Sequence, residues 1–143
     1  MGSQALVISI DGTIRPLELP EDPQLRRRLL DETVGGCAEH GRYHPEATVY
    51  VNSARGQQPN VVAWALISAW RGLDVSYYLY GTAVVAASAP GVDLPGHLAD
   101  QVRAAADCVR RVAAEWRTRH PASAEEGARE LLAEVRFHVP AGV

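Results

Sequence analysis

Lysine is missing altogether: the 14 basic side chains of this 143-residue chain are all Arg, and 17 acidic ones leave a net charge of −3. That balance argues against a dominant nucleic-acid surface. With 22 Ala and 16 Val beside it, the Arg-only usage reads as the codon bias of a GC-rich genome. Cysteine is scarce. Cys37 and Cys108 make no disulfide framework, and both read as reduced thiols of a cytoplasmic protein. Long apolar runs are absent too. Val61 to Trp70 is about half the length a membrane helix needs. No basic stretch precedes the apolar segment Ala5 to Ile10, so no signal peptide is expected, and neither is a membrane association. There is no Gly-x-Ser-x-Gly elbow, no phosphate-binding Walker loop and no His-Glu-x-x-His pair. Gly35-Gly36 falls at the end of an expected helix, the wrong polarity for cradling phosphate.

What is present is a globular composition, 47% hydrophobic and 22% charged, long enough for a single domain over 1–143. Leu6, Ile8 and Ile10 alternate as a strand does. Asp11-Gly12 predicts a two-residue hairpin turn, and Thr13 to Leu19 the return strand, with Pro16 placing it at a sheet edge. Asp22-Pro23 predicts a helix start, Leu25, Leu29 and Leu30 its apolar face, and Gly35 or Gly36 its left-handed cap. Strands are expected over 37–43, 48–51, 75–80 and 82–87, and a polar loop over 52–56. Between them, Asn60 caps a helix over 61–71 in which only Ser68 and Arg71 are polar. A helix that is apolar all round must be covered on more than one side.

The last third changes character after the Pro- and Gly-rich linker 89–96. Leu98, Val102, Ala105, Val109, Val112 and Trp116 form one helical stripe, with Asp107–Arg111 and Arg111–Glu115 expected as ion pairs on the wet side. Pro121 ends that helix. Ser123 and Glu126 form a capping box for a last one over 124–136, whose face is Leu131, Leu132 and Val135. The expected fold is therefore α+β: a small, mostly antiparallel sheet with packed helices (5–89) and a C-terminal helical hairpin (94–137). That hairpin is the first expected cover for the apolar helix, and a second copy in a homodimer is the other.

Asp11-Gly12, Val34-Gly35-Gly36, Val49-Tyr50-Val51-Asn52, Asn60-Val61-Val62-Ala63 and Gly81-Thr82-Ala83-Val84-Val85 follow one another through residues 5–87. In this order they resemble domain-of-unknown-function family 3846, small proteins of phages, plasmids and actinobacterial or archaeal genomes. The resemblance implies an α+β fold and a mobile-element setting. It implies no reaction and carries no functional residue.

Among chemistry-bearing residues, Cys37, His40 and His44 are the nearest approach to a metal-ligand cluster. On a strand their side chains diverge, so no metal or other cofactor is expected there. Trp64, Trp70, Tyr77, Tyr78 and Tyr80 gather in sequence and are read as an interface or the lining of a pocket. Arg26-Arg27-Arg28 fan around a helix, and Arg103, Arg110 and Arg117 are interleaved with acids, so nucleic acid is not an expected partner. These residues favour a non-enzymatic protein-binding or regulatory accessory protein. The alternative is a small-ligand or metal-binding module with catalytic activity.

Overall fold

The computed structural model describes residues 2–52 and 56–142. Its elements run β1 (Ser3–Ile8), β2 (Ile14–Leu19), α1 (Pro23–Val34), β3 (Ala38–His44), β4 (Ala47–Asn52), α2 (Val61–Arg71), β5 (Ala83–Ala87), α3 (Gly96–Glu115) and α4 (Ala124–His138). The fold is α+β. Five strands lie in the order β2-β1-β5-β4-β3, each antiparallel to its neighbours. Pro16, which cannot donate to a ladder, sits on the edge strand β2 as expected. No helix among the described residues is long and apolar enough to cross a membrane.

The two sheet faces are covered differently. On one, α1 lays Leu30 and Val34 against Ala5, Val7, Val84 and Ala86. Asp22 caps this helix by accepting from the backbone N–H of Gln24 and Leu25, and Gly35 closes it at φ +81°. Leu25, assigned to the apolar face, is instead exposed. On the other face α2 packs against Leu6, Ile8, Val49 and Val85. The hairpin α3–α4 then covers the outer side of α2 with Leu98, Val102, Val112, Leu131, Leu132 and Val135. All residues from Val62 to Trp70 are consequently buried. Each large side chain among them contributes about 1.5–3 kcal/mol.

Two asparagines lock this arrangement. Asn60 is fully buried; its Nδ2 donates to the carbonyls of Ile8 and Gly81 at 2.9 Å, and its Oδ1 accepts from Ala63 N–H at 3.0 Å. One side chain thus ties β1, the entry to β5 and the start of α2. Asn52 donates to the Gly35 carbonyl at 3.2 Å, and a Cβ on Gly36 would lie 2.5 Å from its Nδ2. Gly36 is glycine because the end of α1 passes that close to β4. Gly35, Gly36, Asn52 and Asn60 therefore serve capping and packing.

Several expectations need correction. The β1–β2 turn is a longer loop, with Ser9 N–H bonded to Thr13 O and Gly12 N–H to Ser9 O. Only Gly12 has positive φ (+87°), since the extra residue lets Asp11 keep an ordinary conformation and accept from Thr13 N–H. Residues 75–80 are not a strand. Among the described residues their ladder-like contact is an isolated bridge between Pro59 and Tyr80; Val75 and Leu79 are buried, while Ser76, Tyr77 and Tyr78 are exposed. The wet-side pairs are redistributed: Arg110 takes Asp107, Arg111 reaches across to Glu134, and Arg119 takes Glu115 and Glu130. Of the expected loop 52–56, Asn52 belongs to β4, and residues 53–55 lie outside the described residues.

Candidate functional site

Cys37, His40 and His44 are not brought together. Cys37 is exposed ahead of β3, where Arg27 donates to its Sγ at 3.4 Å. His40 pairs with Tyr50, which packs into the α1 side of the sheet. His44 lies on the other side, edge-on to Trp70 with ring centroids 5.2 Å apart. Residues four apart on a regular strand share a face; the register shift between Gly41 and His44 breaks that rule here. His44 is wedged between Trp70 and Gly142, and burial pushes its imidazole pKa down.

The five aromatics divide. Trp64 and Trp70 are core, donating from their indoles to the Val75 carbonyl (2.9 Å) and to Gln101 Oε1 (2.8 Å). Both side chains are packed inside the protein, and Trp64 also reaches the floor of a groove beside Asp74 and Leu132. Tyr77, Tyr78 and Tyr80 are 40–53% exposed, together with Leu73 at 50%. They project from the segment 73–80, which is anchored at both ends. Ser68 Oγ accepts from Val75 N–H, Asn60 N–H donates to the Leu79 carbonyl at 2.7 Å, and Gly81 N–H donates to Gln58 O. The Tyr78 ring also rests 5.0 Å from that of Trp64. The tyrosines are thus held out on a fixed backbone.

Beside them runs an open groove of about 440 Å³ between edge strand β3 and residues 71–77. A second groove of about 320 Å³ adjoins it toward His44, and the two share Arg42, Tyr43 and Arg71. Tyr43 and Tyr77 bond hydroxyl to hydroxyl at 2.9 Å. Burial, then that bond, pushes the Tyr43 phenol up to about 12, and the Arg71 guanidinium partly opposes the rise. Arg42 and Arg71 are exposed and make no ion pair among the described residues. Sequence reading missed Arg42, Tyr43, Arg71 and Leu73, because only the fold sets β3 beside the end of α2.

A second cluster joins the two C-terminal helices. Cys108 of α3, Glu134 and His138 of α4 place Sγ, a carboxylate oxygen and an imidazole nitrogen all within 4.8 Å of one another. Cys108 is buried, and burial pushes its thiol pKa up. Arg111 bridges the thiol and the carboxylate, 3.6 Å from Sγ and 3.1 Å from Glu134 Oε2. The legible signal was Glu134 and His138 at helical i,i+4 spacing; pairing them with Cys108 required the register of the hairpin.

An apolar groove of about 320 Å³ lies where Ile10 and Val62 meet Val109, Ala113 and Trp116. Arg110 at its rim is already held by Asp107 at 3.0 Å. No family model, curated protein or solved structure matches the chain.

Proposed function

We propose that this chain is a non-enzymatic accessory protein that binds another protein through the tyrosine-bearing segment 73–80 and the groove beside β3. The observation that carries this reading is the fixed exposure of Leu73, Tyr77, Tyr78 and Tyr80. Tyrosine supplies a large amphipathic contact area for little conformational entropy, which suits it to protein interfaces. An anchored backbone lowers the ordering cost of binding further. Arg42 and Arg71, which make no ion pair among the described residues, select a partner that presents an acidic segment to the groove. The resemblance to family 3846 supports a mobile-element setting for this activity.

The test is site-specific photocrosslinking in the host, with the crosslinker at position 78 and, as a control, at Val92, which is also exposed. The reading expects one discrete adduct from position 78, lost when Arg42→Glu and Arg71→Glu are combined, and none from position 92. Equal adduct patterns from both positions, or an adduct indifferent to the charge reversal, would refute it.

A further inference from the structure

The geometry points to a zinc-type divalent-cation site formed by Cys108, Glu134 and His138 at the C-terminal end of α4. It is independent of the protein-binding surface and uses none of the residues that the sequence suggested as metal ligands. Four observations support it. First, the three side chains supply one sulfur, one oxygen and one nitrogen within 4.8 Å of each other. Ligand atoms around a tetrahedral zinc lie about 3.3–3.8 Å apart, so closing on the ion takes roughly an ångström. The freedom for that closure exists: His138 is the exposed last residue of α4 and the Glu134 side chain is 45% exposed. Second, Glu134 and His138 stand one turn apart on the same helix face, with Cys108 entering from the antiparallel helix, so the donors come from two rigid elements.

Third, the place is already electrostatically a cation site. The Arg111 guanidinium lies between Sγ and the carboxylate, and the Cys108 thiol donates to the Glu134 carbonyl at 3.8 Å. The negative end of the α4 dipole adds to the attraction for positive charge. Arg111 is a surface arm with its side chain 52% exposed, so an entering ion displaces it to solvent. Fourth, the donor set discriminates. A thiolate with an imidazole favours zinc over magnesium or calcium, which take oxygen ligands. As the metal–sulfur bond forms, the thiol proton leaves to buffer. Three protein ligands leave the fourth position to water.

The test is titration of the metal-free full-length protein with Co²⁺, read by absorption, followed by displacement with Zn²⁺. The expected result is one Co²⁺ per chain, with tetrahedral d–d bands in the visible and a thiolate charge-transfer band in the near ultraviolet. Zn²⁺ abolishes both. Cys108→Ser should remove the charge-transfer band. Because Cys108 is buried, the exposed His138→Gln gives a second reading, with affinity falling about tenfold or more. Cys37→Ser should leave the spectrum unchanged, and Arg111→Gln should bind at least as tightly as the parent. Absence of the charge-transfer band in the parent, its survival in Cys108→Ser, its loss in Cys37→Ser, or wild-type affinity in His138→Gln would each overturn the assignment.

Discussion

The two faces of the sheet solve the same burial problem with different amounts of protein. Under α1 the cover is one amphipathic helix, whose Leu30 and Val34 meet Leu19, Ala38 and the inward residues of β1 and β5. On the opposite face α2 is itself buried, and the hairpin α3–α4 lies beyond it. The difference follows from the helices' own residues. Arg26, Arg27, Arg28 and Glu32 give α1 a wet side, whereas α2 carries only Ser68 and Arg71 as polar residues. Ser68 is fully buried and is used internally, accepting from Val75 N–H. An element without a wet side needs a second layer, and the C-terminal helices supply it.

Substitutions on the two faces should therefore differ in cost. The largest effect is expected from Trp70→Ala, which empties the centre of the double-covered side and removes the indole donor to Gln101. Its cost should be about 3–5 kcal/mol, read from the urea midpoint at constant slope. Asn60→Ala comes next, at about 2–4 kcal/mol, because it strands the buried carbonyls of Ile8 and Gly81. Leu30→Ala on the thin face should cost about 2–3 kcal/mol, the low end for a buried leucine, since a single helix can settle toward the sheet. A Leu30 variant costing as much as the Trp70 variant would remove the contrast between the faces.

The smallest effect is a pH dependence. The folded state holds the Tyr43 phenol proton up to about 12, while the unfolded chain releases it near its ordinary 10.0. The folded state thus binds the extra proton in that window. The contribution is complete below pH 10 and is lost as pH rises toward 12. In urea melts across this range the parent should lose stability more steeply than Tyr43→Phe. Parallel pH profiles for the two would contradict the half-buried Tyr43 phenol bonded to Tyr77.

Most helices and turns were legible in the residues. Asp22-Pro23 and Ser123 with Glu126 mark helix starts through their own hydrogen bonds, and Gly35 and Gly72 mark ends at positive φ. The segment 75–80 was not legible, because its β-rich residues are spent on anchoring Val75 and Leu79, not on a ladder. The candidate sites were less legible still. Tyr77, Tyr78 and Tyr80 were visible as a cluster, but Trp64 and Trp70 could be separated from them only by knowing that both sides of α2 are covered. Arg42 and Arg71 are 29 positions apart, and Cys108 and Glu134 are 26 apart; neither distance carries a local pattern. Such pairings are set by sheet order and hairpin register, which no short window contains.

The C-terminal hairpin is part of the core, and α2 depends on it for its outer cover. Native-state hydrogen exchange on the full chain tests this directly. Amides of Leu66 to Ala69 in α2 and of Ala105 to Cys108 in α3 should open together, with the same free energy and the same denaturant dependence, at the level of global unfolding. A hairpin that exchanges several kcal/mol more easily, while α2 keeps its full protection, would contradict it and make the hairpin an appendage.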